Sequence, residues 1–527
     1  MLCDKCNKNN ATVHITKVIN GHKEEVNLCE SCAKQEQGIG ITDNLNLMSS
    51  FSVQNILANI LDYMNKPQEK NISYEITCPH CGTTYNEFKM KGLLGCSECY
   101  KVFNNSIIPI IKRIHGSVEH TGKIPEKSGQ YIIKQKKLQK LKNKLQECIK
   151  EEEYEKAAEV RDEIKLLENE KGGRRHKRMN ENKENHLLND NMVLSSRIRL
   201  ARNIDKAPFP NKIDNKNGRD IIYKIENEFY KEVTKDEFKT IYLWNLEKRE
   251  INSLLEKHII SFNLINNIDK AAVIIDSSEE NSIMINEEDH IRIQNITKGG
   301  FNLEKAFEKA NNIDNMIEKN IDLAFDKDLG YLTSCPTNIG TGLRASVMIH
   351  LPALSMNNRM SALLNAISQL GMTVRGIYGG EGSKALGNIY QISNQITLGL
   401  DETEIINNLK AVINQIINEE NIARQKFIES YEYEIKDKIY RSLALLESAI
   451  LLDNLECLNY ISNVKLGIEM SIIKDIDENV INKLIVDTQP ANLNKIYDKE
   501  MTEKESRYYR AMLVKERLKK QRVKEGD

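Results

Sequence analysis

The chain has 527 residues, 75 Lys and Arg against 76 Asp and Glu, a formal net charge of -1, and 40% hydrophobic residues. At roughly 150 residues per domain the length predicts three or four domains, and the charge balance argues against a general nucleic-acid or membrane coat, which calls for a basic excess. No run approaches the roughly 18 uninterrupted apolar residues of a membrane helix, and the N-terminus MLCDKCNKNN lacks a signal-peptide core, so a cytoplasmic protein is expected.

Eight of the eleven cysteines fall in the first 100 residues as four Cys-x-x-Cys pairs: Cys3/Cys6, Cys29/Cys32, Cys78/Cys81 and Cys96/Cys99. In a reducing compartment such knuckles read as tetrahedral thiolate sites, because two intervening residues let both sulfurs reach one ion at about 2.3 Å. Two structural Zn2+ ions are expected, neighbouring pairs sharing an ion, although the spacing permits other pairings. His14, His22 and His80 are spare donors. Redox dithiols are disfavoured because no pair sits in a strand-to-helix thioredoxin context. Between the first two pairs, ATVHITKVINGHKEEVNL alternates apolar and polar residues around Asn20-Gly21, which predicts a hairpin. The expected order is a first zinc unit (1–35), a linker with a short amphipathic helix in LMSSFSVQNILANILDYMN (36–72), and a second zinc unit (73–112).

A Gly, Ser and Pro-bearing connection, HGSVEHTGKIPEKSG, leads into residues 131–170. There Leu138, Leu141, Leu145 and Ile149 form one helical stripe and Tyr154, Ala157, Ala158, Ile164 and Leu167 another, which predicts two short antiparallel helices. Two helices bury little alone, so the pair needs a partner surface. EEEYEKAAEVRDEIKLLE resembles the UVR motif, a helical hairpin that implies protein–protein contact. The stretch 171–190 has no apolar period and reads as a linker, its Arg174, Arg175, Lys177 and Arg178 as solvated charge.

Residues 191–428 hold the chemistry in four separated segments: VLSSRIRLARN, INEEDHIRIQ, CPTNIGTGLRASVMIHLP and VRGIYGGEGSKALGN. Arg197 and Arg199 project from one side of an expected strand, a costly arrangement unless an anion sits between them. Arg292, Arg344 and Arg375 follow, with Glu287, Glu288, Asp289, Glu381 and Cys335 among them. Arginine forks suit phosphate oxygens. Carboxylates suit a cationic acceptor, and a guanidinium, protonated until about pH 12 or above, must be aligned and deprotonated before it attacks phosphorus. A thiolate adds a further negative contact. GTGLRA and GEGSKA fit a loose dinucleotide pattern but precede β-rich runs, and no P-loop is present. Strands in AAVIID, IRIQNIT, ASVMIHL and IYQISNQITLG alternate with helices such as EIINNLKAVINQIINEEN, which predicts an α+β domain, followed by a helical C-terminal domain at 429–527.

These four segments resemble the signatures of the ATP:guanidino phosphotransferases, and within them the McsB-type protein-arginine kinases, from about residue 190 to the end. Residues 1 to about 170 resemble the McsA-type zinc-binding activator, so the chain reads as activator and kinase fused in one multidomain α+β polypeptide. The resemblance implies an antiparallel sheet flanked by helices. It implies ATP with Mg2+, carried on nucleotide and water, bound by Ser195, Ser196, Arg197, Arg199, His258, Arg292, Arg344 and Arg375. It assigns Glu288 and Glu381 to holding and deprotonating the acceptor guanidinium, and Cys335 to its non-reacting nitrogen. It further implies stress-response roles: marking clients for a ClpC-type protease and inactivating a CtsR-type repressor.

Two departures stand out. RGIYGGEGS carries one more glycine than the usual R-G-x-Y-G-E-G, which shifts the register of Glu381. The phosphoarginine-sensing R-D-x-x-R-A falls on SRYYRA, where Arg510 and Ala511 match and Ser506 and Arg507 do not, so feedback stays open, as does a homo-oligomer. The tail from Arg507 reads as an exposed basic helix, with DNA contact the minority reading. A non-catalytic zinc adaptor or phosphoarginine reader and a free-arginine kinase remain as rivals.

Overall fold

The computed structural model describes residues 13–19, 22–28, 76–125, 190–357, 359–376 and 385–522, with single positions between 138 and 164. Two compact units divide after Ser52. In the first, β1 (Val13–Ile19) and β2 (His22–Leu28) pair antiparallel with Ile19 opposite His22. Two residues therefore separate the paired ends, the spacing that the alternation predicts. Cys3, Cys6, Cys29 and Cys32 lie outside the described residues.

The second unit is built on an eight-stranded antiparallel sheet in the order β11-β12-β10-β3-β7-β6-β5-β4. Its strands are β3 (Val193–Arg202), β4 (Phe238–Tyr242), β5 (Ala272–Asp276), β6 (Asn281–Ile285), β7 (Ile291–Lys298), β10 (Leu343–His350), β11 (Met372–Gly376) and β12 (Ile389–Asn394). Two short strands, β8 (Phe325–Asp326) and β9 (Gly330–Tyr331), pair apart from it. One face of the sheet is apolar: Ile198, Leu200, Ile293, Ala345 and Val347 are buried there with Ala306, Ala310, Ile313 and Ile317 of the helix Leu303–Asn320. Burial of this size is the main favourable term of the domain. At the β4–β6 end the opposite face is covered as well, Val273, Ile275 and Met284 packing with Ile251, Leu254 and Leu264. That leaves the second face at β3, β10 and β12 to polar side chains.

The C-terminal region is helical, as expected. The helix Glu402–Ser448 breaks its regular geometry at Tyr431 (φ -142°, ψ 41°), and its second half packs with Asn454–Glu469, Glu478–Asp487 and Glu503–Arg522 through Ile439, Leu446, Cys457, Ile461, Leu484 and Val514. The tail helix is therefore docked, contrary to the exposed basic helix expected. Arg510 is buried and donates to the carbonyls of Thr488 (2.9 Å) and Leu452 (3.0 Å), so its guanidinium is spent within the fold. Among the described residues no helix is long and apolar enough to cross a membrane.

Two N-terminal expectations change. Leu138, Leu141 and Leu145 pack with Val160 and Ile164 as the hairpin requires, but Ile149 is exposed and Cys148 takes the buried place. The connection after residue 112 is bound rather than free: the helix Asn104–His115 runs past it, His120 N donates to the Asp328 carbonyl (2.7 Å), and Lys123 Nζ meets Asp314 at 2.6 Å. Asp314 also pairs with the buried Arg202, so the second zinc module is joined to the catalytic domain by a shared ion network.

Candidate active site and metal centre

Period-two alternation on β3 puts Arg197 and Arg199 on the same face. Ladder register extends that face. Arg344 lies opposite Arg199, Arg292 opposite Ala201, and Arg375 opposite Gln391, which is itself opposite Met348 two residues beyond Ser346. All five arginines therefore share the polar face. Few protein groups meet them: Arg197 Nε donates to Ser346 Oγ (3.3 Å) and Arg344 Nη2 to Thr373 Oγ1 (3.3 Å), while the buried Nε of Arg199 and of Arg344 have no hydrogen-bond partner. Burial, then mutual repulsion, pulls Arg197 and Arg344 down to about 10 and Arg199 well below the usual range. Arg375, although exposed, is lowered by partial desolvation. Clustered cations with unmet N–H groups are the complement of a polyanion.

Ser195 shares this face, opposite Met348. Ser196 does not. One residue away from Arg197, it points to the other side, where its Oγ donates to the Gly300 carbonyl (3.3 Å) and accepts from Asn302 N (3.0 Å) at the head of Leu303–Asn320. The structure thus places the Ser196 hydroxyl on the face away from the five arginines. His258 follows the helix Lys248–Glu256 with a left-handed backbone (φ +59°) rather than lying within it. Its carbonyl accepts from Gln294 Nε2 (2.9 Å), and Gln294 stands opposite Arg199. Burial and then the Arg197 charge pull its imidazole down to about 4, so it is neutral at physiological pH.

Carboxylates gather in the turn between β6 and β7. Glu287 is buried and ion-paired with Arg292 at 2.6 Å. For Arg292, Glu287, Glu288 and Asp289 outweigh a burial cost that opposes its charge, and hold it above its usual value. Glu288 accepts from Asn338 Nδ2 at 2.8 Å. Burial, reinforced by Glu287 and Asp289, pushes it up to about 7, a value suited to a base at neutral pH. Asp289 accepts from Ser334 N (2.7 Å) and Asn203 Nδ2 (2.6 Å), tying this turn to the Cys335 loop. Burial and then the Glu288 charge push Cys335 up to about 12, and its Sγ lies 3.1 Å from Thr337 Oγ1. The sequence reads this sulfur as a thiolate; burial and then the neighbouring carboxylate favour its protonated form in the absence of an acceptor. Glu381 lies outside the described residues.

Asn338 on the Glu288 carboxylate escapes sequence reasoning, whereas Glu287 and Asp289 are read there beside Arg292 and the structure adds their partners, Arg292 for Glu287 and the Cys335 loop for Asp289. A polar Asn in the turn after Cys335 was the available signal for Asn338.

The sulfurs of Cys78, Cys81, Cys96 and Cys99 lie within 4.8 Å of one another, with separations of 3.6 Å (Cys78 to Cys96), 3.4 Å (Cys81 to Cys99) and 3.7 Å (Cys96 to Cys99). A tetrahedron with metal–sulfur bonds of about 2.3 Å has sulfur edges of about 3.8 Å. The neighbouring thiols Cys96 and Cys99 hold Cys81 far below the thiol range, while the same contacts push Cys96 and Cys99 up. As thiolates, four sulfurs this close would repel one another unless a cation sat among them, and the donor set and spacing fit zinc.

Comparisons with known proteins agree with this layout. Residues 76–122 match the McsA central zinc-finger domain, 135–170 the UvrB/uvrC motif, 220–423 the ATP:guanido phosphotransferase C-terminal catalytic domain, and 432–526 the McsB C-terminal domain of protein-arginine kinase. The chain is 54% identical over 336 residues to a protein-arginine kinase of Clostridium kluyveri, covering 64% of this chain and 96% of that one. To one of Clostridium acetobutylicum it is 52% identical over 333 residues, 63% and 97% of the two. Among solved structures, a lombricine kinase aligns with a TM-score of 0.45 at 22% identity, covering 62% of this chain and 80% of that one.

Proposed function

The chain belongs to the protein-arginine kinase family, and from that premise we propose that it transfers the γ-phosphoryl group of ATP to an arginine side chain of a protein. The observation that carries the proposal is the five-arginine face bordered by Glu288, Asn338 and Cys335. In this reading Arg197, Arg199, Arg292, Arg344 and Arg375 hold the triphosphate, with Ser195 and the neutral His258 at the same face. Glu288, kept in place by Asn338, aligns the acceptor guanidinium and takes a proton from the attacking nitrogen. That nitrogen forms an N–P bond to the γ-phosphorus as the bond to the β,γ-bridging oxygen breaks, giving phosphoarginine and ADP. The arginines are already in place for the negative charge that develops, so little reorganisation is needed. Glu381 is assigned the second acceptor carboxylate on resemblance, and Cys335 the contact to the non-reacting nitrogen.

Magnesium, which needs few protein ligands, would ride on the nucleotide and water. Zinc at Cys78, Cys81, Cys96 and Cys99 supplies a structural cross-link. A second ion at Cys3, Cys6, Cys29 and Cys32, and the role of residues 1–170 as a fused activator, belong to the same proposal. So does a boundary between catalytic and C-terminal domains near residue 428, supported by the kink at Tyr431. A ClpC-type protease and a CtsR-type repressor as partners rest on family resemblance alone, as does the cytoplasmic setting.

Incubation of the full chain with γ-labelled ATP and either an arginine-rich protein or free arginine tests the reading. Acid-labile phosphate on protein arginine is expected. Label on free arginine alone would make the chain a phosphagen kinase, and no transfer with zinc and nucleotide bound would make it a non-catalytic reader.

A further inference from the structure

We infer that Tyr100 and His115 are positioning residues for the phosphoryl acceptor, through which the second zinc module fixes the backbone that carries Cys335. The inference rests on the reading of Cys335 as an acceptor contact.

Residues 332–339 lie outside any strand, so their peptide groups need partners from elsewhere. The zinc module supplies them. The Thr333 carbonyl accepts from Tyr100 OH at 2.7 Å, the Ser334 carbonyl from Leu94 N at 2.8 Å, and the Pro336 carbonyl from His115 Nε2 at 2.9 Å. Carbonyls on both sides of Cys335 are thus held from one direction, while Asp289 holds Ser334 N from the other. His115 also accepts at Nδ1 from Thr397 N (3.4 Å), so one imidazole bridges the loop and the segment after β12. That bridge needs a neutral ring protonated on Nε2, and burial favours the neutral form.

The donors are coupled to the metal centre. Leu94 and Tyr100 bracket the knuckle Cys96–Cys99, so a metal on those sulfurs fixes both donors relative to each other. Gly95 is pressed into this joint: its carbonyl accepts from Phe209 N at 2.7 Å, and a Cβ there would meet Cys81 Sγ at 2.7 Å and Lys212 Cγ at 2.9 Å, besides Thr83 Oγ1. Tyr100, Cys335, Leu332 and Ile339 lie in one apolar core, with no solvent layer between module and loop. A loop held by three hydrogen bonds from a metal-stapled unit shifts when one is lost, and displacements of about 1 Å at reacting groups cost up to about a hundredfold.

The test uses the full-length, zinc-loaded protein with Tyr100→Phe, His115→Leu and His115→Gln. Zinc content should stay at the wild-type value in all three. KM for an arginine-bearing protein should rise roughly tenfold in Tyr100→Phe and His115→Leu, with KM for ATP within about twofold, as loss of one buried hydrogen bond implies. Alkylation of Cys335 by iodoacetamide, read on its own peptide by mass spectrometry, should accelerate by a similar factor. His115→Gln, whose amide N–H can replace Nε2–H, should recover most of both. Unchanged acceptor KM and unchanged Cys335 alkylation with zinc retained would overturn the inference, as would an equal rise in KM for ATP. Should His115→Leu fail to fold, Tyr100→Phe decides, since it removes one oxygen and no packing volume. If the wild-type protein transfers no phosphate the functional reading fails, and the alkylation rates still decide whether these residues position the loop.

Discussion

Arg199 and Arg344 lie directly opposite each other across the β3–β10 ladder, and among the described residues neither has a carboxylate partner. Like charges in this arrangement destabilise a protein unless an anion joins them. On the proposed function, a bound triphosphate would relieve this repulsion.

Arg344→Leu should therefore separate stability from function. Removing one of the crowded cations is expected to raise stability by about 1 kcal/mol while weakening ATP binding on the order of a hundredfold. Thermal melts with and without ATP check both, and the nucleotide-dependent rise in Tm expected of the wild type should largely vanish.

Glu288→Gln should lower transfer by roughly a hundred- to ten-thousandfold with nucleotide affinity retained. The pH profile carries a sign. A base must be deprotonated, and burial has raised this carboxyl to about 7, so kcat/KM should climb with pH through about 7 and level off above it. An activity limb near the ordinary carboxylate value instead would remove Glu288 from that role.

Cys78→Ser should lower the zinc content by one ion per chain relative to the wild type, leaving only the ion proposed at Cys3, Cys6, Cys29 and Cys32. Gly95→Ala should keep the stoichiometry but release zinc to a chelator at least several-fold faster, because the added methyl presses on Cys81 Sγ and Lys212. Colourimetric chelator competition measures both.

Glu469 is buried among His350, Arg424 and Lys465, with Arg424 Nη2 at 2.7 Å and Lys465 Nζ at 3.0 Å. Burial works against its charge, but those three neighbours outweigh it and hold the carboxyl below the usual carboxylate range. Glu469→Gln should destabilise the protein by about 3 kcal/mol, since it strands buried cations. The depressed value means that this stabilisation is present above the unfolded carboxyl value of about 4.3 and fades as pH falls below it. Denaturant titrations at pH 7 and pH 4 should therefore show a smaller gap between variant and wild type at the acid end.

Much of this was legible where chemistry follows local spacing. Cys-x-x-Cys, Asn20-Gly21 and the alternation of Arg197 with Arg199 are short-range patterns, and each describes what forms wherever the structure covers it. The direction of the Ser196 hydroxyl was legible too, since the same alternation turns it to the face away from Arg197, while the motif resemblance treats adjacent residues as one group. Cys148 and Ile149 flank the leucine stripe about equally at 100° per residue, and the side covered by Val160 and Ile164 decides between them. The docking of residues 113–125 and the hold on Thr333, Ser334 and Pro336 arise from partners roughly 200 residues away or more, which no local period reports.

The module that grips the Cys335 loop is part of the same polypeptide as the loop. Tethering sets a local concentration on the order of millimolar, so dilution, or any change in how much of the protein a cell makes, leaves the grip engaged. Separate subunits can be tuned by their ratio; a tethered pair has a fixed ratio of one. On the proposed reading, one route left to regulate the grip is chemistry at the four sulfurs, through metal supply or oxidant, which would turn the output of the kinase into a readout of the state of its own thiolates.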